Sequence, residues 1–215
     1  MNTNQQSSNS TSADTELVVP TVSPAIEFLW AIIGLMLTIS GNLVHAFTIT
    51  PPWLWTEEGI QVQSLGVTYQ VGAVLLTGCL GGRNAGALSQ IAYLILGLNW
   101  YPVFDQGGGF DYLQKPAFGY LLGFVAGGWL CGYLAFKARP KLESLAFSAI
   151  CGLVTIHVSG LIYLIGLFIV NNFNGGFKVL LNATLMYSIY PFPGQLVIVC
   201  AVTVIAFVLR RVLFY

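Results

Sequence analysis

The side chains of this chain best suited to holding a polar molecule are amides and a few charges. They are Asn42, His45, Gln63, Gln70, Asn99, Asp105, Gln106, Asp111, Lys115, Asn171, Asn172, Asn182 and Gln195. Amides both donate and accept hydrogen bonds, and a lysine pairs with an anion, so the set suits recognition. It does not suit covalent chemistry. Cys79, Cys131, Cys151 and Cys200 lie in apolar runs without a CxxC pair and read as buried small hydrophobes. Gly107–Gly109 follows no strand and opens no dinucleotide-binding unit, and no Walker A sequence is present, so the chain does not itself hydrolyse ATP. No His, Cys and Asp cluster has metal-ligand spacing, and no cofactor is expected. Ser89 and His157 are the one nucleophile and base that can be imagined together, and spacing alone does not pair them. The expectation is a binding protein, not an enzyme.

The elements that must position these groups are membrane helices. Hydrophobic residues are 56% of the chain and charged residues 7%, against roughly a quarter charged in a soluble domain. Such a surface faces lipid. Net charge is zero and no basic block offers itself to nucleic acid. Apolar runs predict an all-α membrane protein with six transmembrane helices, near Pro24–Ala46, Ser64–Leu80, Ala85–Trp100, Ala117–Phe136, Leu145–Val170 and Gln195–Leu213. The second and third flank a tight GGRNAG turn. Two prolines interrupt the run from Leu180 to Pro193, which is expected to lead irregularly into the last span. Backbone breaks at membrane depth are tolerated only where protein or a cavity receives them, so YPFPGQ, 190–195, is a candidate site wall. Residues 1–20 are rich in Ser, Thr, Asn and Gln, without Lys or Arg, and read as a disordered polar tail, not a signal peptide. Residues 21–215 form the membrane domain.

Orientation follows from Lys and Arg. With a cytoplasmic N-terminus and six spans, Arg83, Lys137, Arg139, Lys141, Arg210 and Arg211 lie inside, and only Lys115 and Lys178 outside. The positive-inside rule therefore puts both termini in the cytoplasm of a plasma-membrane protein. The polar groups then gather at the outer ends of the spans and line a pocket that opens outward. His157, near mid-depth, reads as an interhelical hydrogen bond, with proton coupling as the alternative. Gly78, Gly81, Gly82 and Gly86 surround the GGRNAG turn, and Gly119, Gly123, Gly127, Gly128 and Gly132 run down the fourth span. Small faces of this kind let helices approach closely, within the chain or against another membrane subunit.

The stretch Thr68–Gly132 also resembles a known family. Thr68, Gln70, Leu75, Leu76 and Gly78 are followed by Gly86, Ala87, Leu88, Ser89, Tyr93, Leu94 and Gly97. Then come Pro102, Val103, Phe104, the glycines 107–109, Pro116, Gly119, Tyr120, Leu121, Gly123 and Phe124. This is similar to the BioY family, biotin-binding S components of energy-coupling-factor vitamin transporters. Members carry a PGD-x-x-K element at the start of the last span, with the Asp and Lys at the ligand; here Gln195 stands for the Asp and Ile198 for the Lys. Family S components dock their first helix on a coupling subunit through alanines four apart; span one here offers Gly34 and Thr38.

The resemblance implies that the chain binds biotin outside and delivers it inward. Expected partners are a transmembrane coupling subunit and ATPase subunits, or further copies of the chain. An S component for another vitamin and a non-transport assembly factor are the alternatives. Gln195 is expected at the ureido edge of the ligand and Lys115 at its carboxylate. Tyr93, Trp100, Tyr101, Phe104, Phe118 and Tyr120 suit the ring, with Gln70, Asn99 and Asp111 as further polar contacts.

Overall fold

The computed structural model describes residues 23–49, 62–99, 101–105, 107–139, 141–170 and 176–213. The expected tail, Trp100, Gln106, Asn171 and Asn172 lie outside them. Helix α1, Pro24–Leu43, opens on a proline, which removes an N–H that the first turn has no acceptor for. Its small face, Ala31, Gly34, Thr38 and Gly41, is buried. Gly34 meets Thr77 and Ser89, and Gly41 meets Gln70, so this face is spent on the next helix. The outward face of α1 is bulky, with Phe28, Leu29 and Met36.

The chain then departs from the expected spans. Strand β1, His45–Ile49, pairs antiparallel with β2, Val62–Thr68, with a bulge between His45 and Phe47. Ala46 therefore belongs to a strand, and the second helix starts at Gln70 where Ser64 was expected. The reason is local. Val62, Val67 and Thr68 are β-branched, Gly66 sits at φ 67°, outside helical space, and β1 supplies the backbone partners.

Helix α2, Gln70–Leu98, is two antiparallel limbs joined by a reversal at Gly82, φ 84° and ψ −176°. Gln70 and Tyr93 hydrogen-bond across the limbs at 2.8 Å, whereas a straight helix would hold them roughly 34 Å apart. The limb Gln70–Gly81 rises roughly 18 Å, short of a hydrocarbon core about 30 Å thick; β2 carries the chain onward.

A loop with one turn of 3-10 helix, Phe110–Gln114, leads into α3, Ala117–Lys137, and α4, Leu142–Val170. Helix α5, Gly176–Thr184, runs through a π-helical segment, Leu185–Ile189, into α6, Pro191–Val212. The expected irregular lead-in thus has a defined form. A proline ring clashes with the carbonyl four residues back and brings no N–H; the wider π turn, closed by Tyr190 N–H to Leu185 O at 2.9 Å, lets Pro191 and Pro193 follow it.

Glycines set the packing of α3 on both sides. Gly78 and Gly86 of the two α2 limbs meet the Gly128 carbonyl, while Gly123 and Gly127 meet Ile156 and Gly152 of α4. The small faces of α3 serve this chain's own packing. Among the described residues, four helical segments are long and apolar enough to cross a membrane: Pro24–Leu43, Ala117–Lys137, Leu142–Val170 and the continuous Gly176–Val212.

The two ends of the bundle differ. At one end Asn84, beside the α2 reversal, donates to Glu27 at 3.0 and 3.1 Å, and Arg210 Nη1 donates to Ala135 O at 2.7 Å. These contacts gather the start of α1, the α2 reversal and the ends of α3 and α6, and with them Arg83, Lys137, Arg139, Lys141, Arg210 and Arg211. The other end holds a cavity.

Candidate functional site: an amide-lined cavity

Three side chains from separate elements converge on that cavity, of about 230 Å³: Gln70 at the start of α2, Tyr120 in α3 and Gln195 in α6. Asn42, Thr68, Asp105 and Tyr112 also line it, with an apolar body that includes Leu121, Phe124, Ile156 and Tyr187. The mixture fits a small ligand with one polar edge, since such pockets are mostly apolar with a few placed polar groups.

The wall beside Gln70 is rigidly wired. Gln70 Nε2 donates to the Tyr93 hydroxyl at 2.8 Å, and that hydroxyl donates to Val103 O at 2.8 Å. Asn42 Nδ2 donates to the same carbonyl at 3.2 Å. The loop segment 101–105 is thereby pinned at the cavity, with Phe104 buried against Tyr93 and Tyr112 at ring distances of 5.3 and 4.6 Å. The loop glycines make this compact: Phe104 pairs with Gly107, and Gly109 N–H donates to Gly97 O at 2.8 Å. Burial pushes the Tyr112 phenol up to about 12, and the nearby Asp105 carboxylate adds to the shift, so Tyr112 keeps its proton in the cavity wall.

The wall beside Gln195 is a chain of polar contacts. Tyr120 Oη lies 2.7 Å from Ser188 Oγ, Ser188 Oγ lies 3.2 Å from His157 Nδ1, and His157 Nε2 lies 2.6 Å from Gln195 Oε1. His157 thus makes hydrogen bonds between helices, in keeping with that reading of its sequence position. Ser89 is elsewhere, donating to Gly86 O, so Ser89 and His157 are not paired. Among the described residues no three of His, Cys, Asp and Glu gather as a metal site.

The structure distributes the expected site residues unevenly. Gln70, Tyr120 and Gln195 line the cavity, and Tyr93 stands directly behind Gln70. Lys115 is not among the lining residues; its Nζ lies 4.9 Å from the centre of the ring of Tyr112, which is. Phe118 is buried against Tyr163, away from the lining. Asn99 turns its amide onto Ile95 O at 2.8 Å, closing the end of α2. Asp111 is exposed, and Asp105 is the loop carboxylate at the cavity. Ile198, where the family pattern has Lys, packs on Gly72 of α2. Tyr112 and Ser188 were not singled out in the sequence. Tyr112 precedes Lys115 by three residues in a loop with no periodicity to reveal it, and Ser188 depends on a π turn that no apolar pattern announces.

A BioY family model matches residues 55–214, which include every lining residue named here except Asn42. The chain belongs to the BioY family. The chain is 31% identical over 134 residues to the biotin transporter BioY of Thermotoga maritima, covering 62% of this chain and 73% of that one. It is 30% identical over 188 residues to an uncharacterized 21.2 kDa protein of Cyanophora paradoxa, covering 86% and 95%. In fold it is similar to a crystallised S-component for biotin from an ECF-type ABC transporter, with a TM-score of 0.64 at 18% identity, over 89% of this chain and 95% of that one. This member of the family is therefore a mostly helical membrane protein whose fold is similar to that of the S-component.

Proposed function

We propose that this protein is a biotin uptake component that captures biotin in the cavity on the outer side and delivers it inward. The observation that carries the reading is the convergence of Gln70, Tyr120 and Gln195 on one largely apolar cavity in a BioY chain. The bicyclic ring of biotin suits the apolar body, its ureido edge the two glutamine amides, and its carboxylate the Lys115 ammonium beside Tyr112. The α2 limbs, α1, α3, α4 and the Gly176–Val212 segment serve as six spans, with both termini cytoplasmic and the cavity outward. Transport energy comes from ATPase and coupling subunits of an energy-coupling-factor module, since the chain has no nucleotide-binding sequence. The first-helix pair Gly34 and Thr38 is already packed on α2, so the bulky outer face of α1 is the surface left for a membrane partner. Gln195 and Ile198, in place of the family Asp and Lys, favour one other reading, an S component for a different vitamin.

Thermal unfolding of the purified protein across a panel of vitamins tests this. Biotin at 100 times its dissociation constant stabilises by roughly 2.7 kcal/mol. Gln195→Leu is expected to fold normally and to weaken biotin by about 1–3 kcal/mol, the cost of an unpaired buried partner. Stabilisation by another vitamin and not by biotin would move the substrate; stabilisation by none would point to an assembly role.

A further inference from the structure

We infer that His157, with Ser188, fixes which end of the Gln195 amide faces the ligand, so that this wall of the cavity donates a hydrogen bond and the Gln70 wall accepts one. The inference rests on reading the cavity as the biotin site and adds a positioning residue to it.

With Gln195 Oε1 turned to the histidine, the protons can be followed along the chain. Gln195 Oε1 is 2.6 Å from His157 Nε2, and a carboxamide oxygen only accepts, so Nε2 carries the ring proton. In a neutral ring Nδ1 is then an acceptor, and it faces Ser188 Oγ at 3.2 Å, so the serine hydroxyl donates to it. Ser188 has a single proton. Its oxygen must therefore accept from the Tyr120 hydroxyl at 2.7 Å. The chain runs one way, from Tyr120 through Ser188 and His157 to Gln195. The Gln195 Nε2 amide has no protein acceptor among the described residues, and Gln195 lines the cavity. Its N–H groups are left for the ligand.

Gln70 is set the other way by the same arithmetic. The Tyr93 proton goes to Val103 O, which only accepts, so the Tyr93 oxygen must take a hydrogen from Gln70 Nε2. Gln70 Oε1 is then the acceptor on the cavity wall. A cyclic urea, a carbonyl flanked by N–H groups, matches one donor wall and one acceptor wall. The fold holds the deciding ring in place: Tyr120 and Phe192 meet the His157 imidazole edge-on, at ring distances of 5.9 and 5.4 Å. The π-helical segment Leu185–Ile189 brings Ser188, 7% exposed, to its Nδ1.

The test compares biotin with 2-iminobiotin, whose protonated imino group donates where the biotin carbonyl accepts. Affinities are measured on the full-length protein in nanodiscs at neutral pH, for wild type, His157→Phe and Ser188→Ala, with ligand-free melting as the check on folding. Wild type is expected to prefer biotin by at least about tenfold. In His157→Phe the Gln195 amide is free to turn, and the preference should shrink by at least about tenfold. Ser188→Ala leaves both histidine tautomers open and should shrink it at least about threefold, which decides the matter if His157→Phe does not fold. An unchanged preference in a folded variant, or a wild type that prefers 2-iminobiotin, overturns the inference. A wild type that binds neither compound removes the biotin reading itself.

Discussion

At the scale of single residues, the cavity is governed by what stands behind its lining. Gln70 answers to Tyr93 and Val103 O, Gln195 to His157, and Tyr112 to Asp105 and Lys115. Lys115 is the cation expected to meet the ligand carboxylate. Its pair would be partly exposed, so its worth is about 0.2–1 kcal/mol. Lys115→Ala should then weaken biotin by about 1.4- to fivefold and leave biotin amide, which carries no charge, nearly unchanged; equal weakening of both would assign Lys115 to the loop alone. Tyr112 gives a pH signature. Its folded value of about 12 lies above its ordinary value of 10.0, so its contribution to stability is full below pH 10 and is lost as pH rises through 12. Tyr112→Phe has no such proton to lose. Its melting temperature should fall less steeply than wild type between pH 10 and 12, and parallel curves would show that Tyr112 does not hold its proton.

At the scale of elements, the sequence was most informative where apolar runs are long and least where geometry turns on one residue. Helices α1, α3 and α4 are legible within a few residues, as are the GGRNAG reversal and the glycine seams, because hydropathy and small-residue spacing report them directly. The β1–β2 pair was missed, since Val62–Thr68 is apolar enough to pass for the start of a helix and its partner strand is not visible in any local period. The π segment was reduced to an irregularity because prolines signal a break without saying how it is satisfied. For the site, Gln70, Tyr120 and Gln195 reach the cavity, while Asn99 and Phe118 do not: hydropathy gives the depth of a residue but not which side of its helix it occupies. Two glycines test the seams by different mechanisms. A Cβ at Gly86 would lie 2.6 Å from the Gly128 carbonyl, a backbone atom that cannot step aside. A Cβ at Gly82 meets only the Phe136 ring at 3.7 Å, so its cost is the φ of 84°. Gly86→Ala and Gly82→Ala should each cost about 1–3 kcal/mol, while Gly166→Ala, with open space around it, should stay within about 0.5 kcal/mol. Equal effects at all three positions, in reversible unfolding, would contradict this account of the packing.

At the scale of the whole molecule, the charge distribution and the cavity have to agree on one orientation. Arg83, Lys137, Arg139, Lys141, Arg210 and Arg211 gather at one end, whereas Lys115 and Lys178 belong to the cavity end. Basic flanks favour the cytoplasmic side, so the proposed orientation has the cavity facing out, as the proposed capture of an external ligand requires. The internal wiring supports a bundle that keeps this polarity. Arg210 is buried, donating to Ala135 O and stacked 4.0 Å over the Phe136 ring, so the basic end is tied into the fold. A membrane-impermeant thiol reagent tests the orientation without removing the native cysteines. Cys79 and Cys131 are buried 3.5 Å from each other, and Cys151 and Cys200 lie within the membrane helices α4 and α6, so a water-borne reagent leaves the parent protein unlabelled. Ala138→Cys, on the exposed turn after α3, should label only after the cells are opened, whereas Lys178→Cys, near the start of α5, should label in intact cells. Labelling of Ala138→Cys from outside would invert the molecule, put the cavity on the cytoplasmic face and exclude it as the site of capture.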